Sequence, residues 1–398
     1  MKRMVAFGAV ATIVALLAGC GDSGSTSASG RSGAQESGTV SSASDEAAIG
    51  EDASAGDESG VDGEEAADSS SGADGQASAG GEPGADGESS ADSSQGADRE
   101  SSAGGSASGE TSTVYFTSDI SPEGMVAVYE ALGWEPSGKV AVKLSTGEPP
   151  ASNYLRPELI QDLVELVDGT IVECNTAYGG SRAETAMHYQ VAEDHGFTAI
   201  ADFQILDEDG SMSLPMEGGS RLSENLVGAA FGDYDSYLVL SHFKGHAMAG
   251  FGGAIKNISI GLGSKEGKCL IHTGGKSSTS PWGGDQTAFT ESMAEAGKSV
   301  SDYLGDGERI VYVSVLNNIS IDCDCDGNPA EPDIHDIGIL ASFDPVAIDQ
   351  ASIDLAFAAE GSESLQNRVN DRNGLHTLEH AEEIGLGSRT YELVNIDD

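Results

Sequence analysis

The feature that most constrains this chain is a long stretch in which nothing can form a core. Between Gly21 and Ser112 there is no Phe, Trp or Tyr, and Gly, Ser, Ala, Asp and Glu supply most of the residues. Such a segment has too little apolar surface to offset the entropy of ordering it, so it is expected to be a disordered tether. Every aromatic except Phe7 lies in the 286 residues from Thr113 to Asp398. That length suffices for one sizeable core, and a single folded domain is expected there.

Charge sharpens the division. The formal net charge is −47, and twenty acids against only Arg31 and Arg99 place −18 on the tract. Setting aside Lys2 and Arg3 leaves about −31 on the folded part. A field of that sign repels phosphate backbones and anionic headgroups, so nucleic acid is not an expected partner. Gly-Ala-Asp recurs at Gly72, Gly84 and Gly96, and Pro83 is the tract's one proline. It therefore reads as a flexible linker with ends about 55 Å apart.

Ahead of the tract, Lys2 and Arg3 precede an uncharged apolar run from Met4 to Ala18. The run is shorter than the roughly 20 residues of a membrane-spanning helix and has the length of a signal-peptide core. Leu17-Ala18-Gly19-Cys20 follows and resembles the lipobox of bacterial lipoproteins. The resemblance implies a signal peptide over residues 1–19, diacylglycerol on the Cys20 thiol, and a protein held by its lipid on the extracytoplasmic face of the cell membrane. Two or three acyl chains, at about 0.8 kcal/mol per buried methylene, make such an anchor stable.

In the folded part, strands and helices alternate. Lys139–Leu144, Thr170–Cys174, Thr198–Phe203, Asp235–Ser241, Arg309–Leu316 and Ile337–Ser342 read as strands. Pro157–Val167, Arg182–His195, Glu291–Leu304 and the segment from Asp344-Pro345 to about Ala359 read as helices. The pattern predicts an α/β fold, a mainly parallel sheet with helices on both faces, and places any ligand at the carboxyl ends of strands.

Three loops after predicted strands concentrate unusual residues. The first, Asn175 to Arg182, ends on a cation that is a candidate ligand-binding group. The second runs from Ser241 to His272 and gathers Lys244, Lys256, Lys265 and Lys268 with His242, His246 and His272, in a chain with few basic residues. Lysines placed against the overall charge suggest a small anionic ligand, and Gly252 and Gly253 allow backbone amides to approach it. His242 and His246, four apart, would share a helical face as zinc ligands can, or form a hydrogen-bonding or acid–base pair. Gly245 between them and the lack of a following Glu exclude the metalloprotease motif, and Gly252–Asn257 has the wrong spacing for a P-loop. The third loop, Asp322-Cys-Asp-Cys-Asp326, can chelate a soft metal, form a disulfide or do thiol chemistry through Cys323 and Cys325. Its acids are not spaced as an EF-hand. With Cys20 counted apart, Cys174, Cys269, Cys323 and Cys325 could make two disulfides or bind an iron–sulfur cluster, though their scatter disfavours the cluster.

Two sets of residues resemble the domain of unknown function 362 family. One is His242-Phe-Lys-Gly-His246, Gly250-Phe-Gly-Gly-Ala-Ile-Lys-Asn257, Gly267-Lys268 and His272; the other is Asp322–Asp326, Pro332–Ile334, Asp336–Ser342 and Asp344–Asp349. The likeness extends from about Lys139 to the carboxyl end. Many relatives carry a ferredoxin-like insert after the position of His272; here Thr273 to Gln286 runs on without a cysteine, so its electron-transfer role is not implied.

The expectation is a metal- or cofactor-dependent, enzyme-like domain with its site where the three loops meet. His242, His246, Cys323 and Cys325 are the candidate ligands of a transition metal. Lys244 and Lys256 are candidate acid–base or anion-binding groups, with Asp322 and Asp344 orienting them. Arg182, Gly252, Gly253, Asn257, Lys268 and His272 are candidates for binding the ligand. The alternative is a non-catalytic lipoprotein that captures a small anion.

Overall fold

The computed structural model describes residues 111–397. The leader, Cys20 and all but the end of the tether lie outside the described residues. The chain begins with β1 (Ser112–Thr117) and α1 (Pro122–Glu130), then β2 (Val140–Lys143), α2 (Pro157–Leu166), β3 (Gly169–Glu173) and α3 (Thr185–Asp194). After β4 (Phe203–Ile205) come a hairpin, β5 (Ser211–Pro215) and β6 (Glu224–Gly228), and the long strand β7 (Ser236–His242). A second, tight hairpin, β8 (Lys244–His246) and β9 (Gly250–Gly252), leads into α4 (Ala254–Ser259), α5 (Lys265–His272) and α6 (Gln286–Tyr303). The remainder is β10 (Ile310–Leu316), β11 (Gly338–Ser342), α7 (Pro345–Ala358), α8 (Glu363–Asp371), α9 (His376–Glu383) and β12 (Tyr391–Asn395).

Eight strands form one sheet in the order β12-β1-β11-β10-β7-β2-β3-β4. All pairings are parallel except those of β11, which runs against both its neighbours. The central strands β7 and β10 are buried along their whole length, as strands covered on both faces must be. Their side chains divide by pleat: Leu238, Leu240, Val311, Val313 and Val315 pack with α1 and α2. Tyr237, Val239, Ile310, Tyr312 and Leu316 pack on the other face with α4, α6, α7 and α9. This is the expected α/β architecture with helices on both faces.

Local chemistry sets the ends of the helices. Pro157 opens α2, which buries Ile160, Leu163 and Val164. Gly196, at φ 86°, follows α3 in the left-handed region that glycine tolerates. One expected strand is corrected here: Phe197–Ala199 is a 3-10 turn, and β4 starts only at Phe203. The buried Phe197 side chain anchors the turn, so the apolar run served packing rather than pairing. The expected second loop is likewise mostly ordered, as β8, β9, α4 and α5.

From β2 the chain steps outward through β3 to β4, then returns to β7 on the other side of β2 and continues to β10. The connections leaving β2 and β7 thus diverge, and a crevice opens at their carboxyl ends, where ligands of such sheets bind.

Candidate functional site

That crevice is a cavity of about 90 Å³, reached from the ends of β2, β3 and β7 and closed by the β8–β9 hairpin, α4 and the 323–325 segment. Lys143, Arg182, Lys244, Lys256 and Lys268 all line it, as do Glu173 and Asp324. Five cations therefore meet two carboxylates in a domain that is elsewhere strongly acidic.

Each carboxylate is already engaged. Glu173, at the end of β3, accepts from Arg182 Nη1 at 3.1 Å and from Thr146 Oγ1 at 2.6 Å, with His188 Nε2 at 3.0 Å. Burial alone would raise its pKa, but Arg182 and His188 hold it well below the usual carboxylate range. Asp324 accepts from Lys244 Nζ at 2.6 Å and His242 Nδ1 at 2.8 Å; against the effect of burial these two neighbours lower its pKa. Arg182 also reaches Glu148 and Ser145.

Three amines have no carboxylate within ion-pair distance among the described residues. Lys143 Nζ donates to the Leu144 carbonyl at 2.6 Å and to Asn257 Oδ1 at 2.9 Å. Lys268 Nζ donates to the Gly263 carbonyl at 2.5 Å. Lys256, on α4, has no hydrogen-bond partner among the described residues. Burial, reinforced by Lys244, pushes its pKa down to about 7; burial also pushes Lys143 down to about 8. Asn257 is fixed by donating to the Leu240 carbonyl and Ser241 Oγ, which makes it the clamp between β7 and Lys143.

The two glycines act differently. Gly253 precedes α4, and a side chain there would occupy the position of the Asp349 carboxylate. Asp349 accepts from the amides of Ala254 at 2.6 Å and Ile255 at 3.0 Å and so fixes the start of α4; burial raises its pKa to about 7. Gly252 lines the cavity, and a methyl there would lie 3.4 Å from Lys256 Cδ and 3.6 Å from Lys244 Cε, so the stems of both lysines flank it.

The four candidate metal ligands separate. His242 faces Asp324 through Nδ1 and the Asn317 carbonyl through Nε2 at 2.7 Å. These partners occupy both ring nitrogens, so neither is turned to a metal. His246, Cys323 and Cys325 do cluster, with ligand atoms within 4.8 Å of one another, the one such group of three found among the described residues. Cys323 and Cys325, however, form a disulfide, and His246 Nδ1 accepts from the amides of Met248 and Ala249. That pairing leaves the ring hydrogen on Nε2, 4.0 Å from Cys325 Sγ. Burial and then Lys256 hold the His246 pKa well below its usual value, so the ring is neutral. The donor set suits a soft divalent metal, yet it fits one only as the reduced dithiol with the ring proton moved to Nδ1. Cys174 and Cys269 are free and buried, so neither two disulfides nor a four-cysteine cluster is formed.

The other candidates fall outside the cavity lining. Asp322 pairs with Arg368 at 3.5 Å and accepts from the Ala330 amide, which organises its loop. Asp344 follows β11, the reversed strand, and so lies at the opposite end of the sheet, capping α7 through the amides of Val346 and Ala347. His272 has Nδ1 against the Lys268 carbonyl at 2.7 Å and Nε2 near Tyr178 Oη at 3.0 Å; burial lowers its pKa to about 4. It backs Tyr178, which lines the cavity. Lys143, Glu173, His188 and Asp324 were missed by sequence reasoning. A lysine at the end of an apolar strand was the available signal for the first.

Residues 140–354 match the model of a family described as a domain of unknown function, DUF362. The chain belongs to that family. The Lys143-to-Asp324 cavity is thus formed within the DUF362 region, and Asp344 also lies inside it. No curated protein matches the chain. Among solved structures, the lactate racemase apoprotein from Thermoanaerobacterium thermosaccharolyticum is similar at TM-score 0.32 and 14% identity, over 51% of this chain and 50% of that one. A structural-genomics protein from Thermotoga maritima is similar at TM-score 0.34 and 14% identity, over 66% and 57%. The chain spans little more than half the length of these structures, and likeness of that degree carries no inference about activity.

Proposed function

We propose that this DUF362 protein is anchored by a lipid on Cys20 to the extracytoplasmic face of the membrane and that its domain is an enzyme acting on a small anion. The observation that supports this is the convergence of five cations on one cavity at the switch point of an acidic domain. Two buried carboxylates with cationic partners offer acid–base groups beside them, which a simple binding pocket would not require. Arg182, Lys143 and Lys268 bind the anion; Lys244, held by Asp324, faces its other end. A soft metal on reduced Cys323, Cys325 and His246 would add Lewis acidity at the cavity mouth.

Calorimetric titration of the purified protein with acetate, oxalate and inorganic phosphate at pH 6 tests the anion reading, with metal content measured before and after a dithiol reductant. Saturable binding that Lys268→Ala weakens at least tenfold is expected. Failure of all three anions to bind at millimolar concentration would sink the reading, and binding without turnover of any hydroxy- or oxo-acid would leave the non-catalytic capture protein in its place.

A further inference from the structure

Among the cations of the cavity, Lys256 stands apart in having no side-chain hydrogen-bond partner among the described residues. Lys244 alongside it is committed to Asp324, while Lys143 and Lys268 are held by carbonyl oxygens, Lys143 also by the Asn257 amide. Lys256 rises from the first turn of α4, whose start is fixed by Asp349, so its backbone is held in place at the cavity. We propose that Lys256 is a catalytic nucleophile that forms an imine with the carbonyl group of a small oxo acid. The proposal rests on the anion reading above, since Arg182, Lys143 and Lys268 would bind the substrate's carboxylate.

The chemistry suits the arrangement. A lysine desolvated beside another fixed cation loses its proton near neutrality and becomes a nucleophile. Burial and the neighbouring Lys244 do this here, leaving much of the Lys256 amine neutral at pH 7. The amine attacks the carbonyl carbon to give a carbinolamine. A proton from solvent reaches the hydroxyl, which leaves as water, and the C=N bond forms as a protonated iminium. One amine, one carbonyl and one proton thus give one iminium and one water. Asp324 holds Lys244 in the cavity by a hydrogen bond of 2.6 Å.

The test is reductive trapping of the intact domain. Cyanoborohydride reduces an iminium to a stable secondary amine and spares disulfides. Pyruvate and glyoxylate are offered as probes, with lactate and acetate as non-carbonyl controls, followed by intact mass and peptide mapping. A single adduct on Lys256, absent with both controls and absent from Lys256→Arg, is expected. Trapping should rise about tenfold between pH 6 and pH 8. Lys265→Arg, at an exposed lysine, should trap normally, and circular dichroism checks that Lys256→Arg is folded. Adducts spread over surface lysines, or none on Lys256 when acetate binds calorimetrically, would overturn the proposal while leaving the anion reading intact. Absence of acetate binding would indict the anion reading instead.

Discussion

The two ends of the central sheet each bury a carboxylate, and they satisfy it in opposite ways. At the end marked by the reversed β11, Asp344 accepts from the amides of Val346, Ala347 and Ser388 and from Ser112 Oγ. All four donors are neutral backbone or hydroxyl groups, so the carboxylate is held by dipoles alone and burial raises its pKa. At the carboxyl ends of the parallel strands, Asp324 and Glu173 are met by lysine, arginine and histidine side chains. That end keeps amines beyond what its acids neutralise. A buried carboxylate among fixed dipoles is architecture; one among side-chain cations beside a cavity is a site.

The largest expected effect breaks the first end. Asp344→Ala strands three amides and a hydroxyl and should cost about 3 kcal/mol or more in unfolding free energy, without changing anion affinity of the folded fraction. Asp324→Asn should cost less, about 1–2 kcal/mol, because the new amide keeps an acceptor oxygen and the adjoining cavity admits solvent to the buried Lys244 and His242. Added acetate should recover more of the melting temperature of Asp324→Asn than of wild type. Equal losses at both ends, with no rescue, would remove the distinction between architecture and site.

A pH series sharpens the same contrast. Bound anion favours protonated Lys143, whose pKa is pushed down by burial to about 8. Anion affinity should therefore be full below pH 7 and fall by roughly tenfold from pH 7 to pH 9. Calorimetry from pH 6 to 9 measures this. A flat profile would mean that Lys143 does not face the anion.

How much of this was legible follows from where the physics is local. Val140–Lys143 and Ile310–Leu316 are apolar runs bounded by turn residues, and Pro157 and Gly196 punctuate helices, so those elements could be read directly. The pairing partner of a strand is not local. Nothing in Gly338–Ser342 reveals that it runs antiparallel, and that one reversal carries Asp344 away from the lysines. The lysine cluster was legible because basic residues are scarce in the chain. Glu173 and Asp324 were not, because acids are everywhere in it and what marks these two, burial beside cations in one cavity, exists only in the fold.

The smallest expected effect lies between two adjacent glycines. At Gly253 a methyl would overlap the Asp349 carboxylate, which α4 needs at its first amides, and the fold has no slack there. At Gly252 the same methyl meets only the stems of Lys256 and Lys244 at 3.4 and 3.6 Å, ordinary contact with flexible chains. Gly252→Ala should therefore change stability by no more than about 0.5 kcal/mol. It nonetheless adds a carbon to a small cavity between the two lysines, so anion affinity should fall about threefold, read by the same calorimetric titration. An unchanged affinity would place the anion away from the Lys244–Lys256 side, toward Arg182 and Lys268. A change in stability larger than in affinity would make Gly252 part of the architecture, and the boundary between the two kinds of buried end would then run through the hairpin itself.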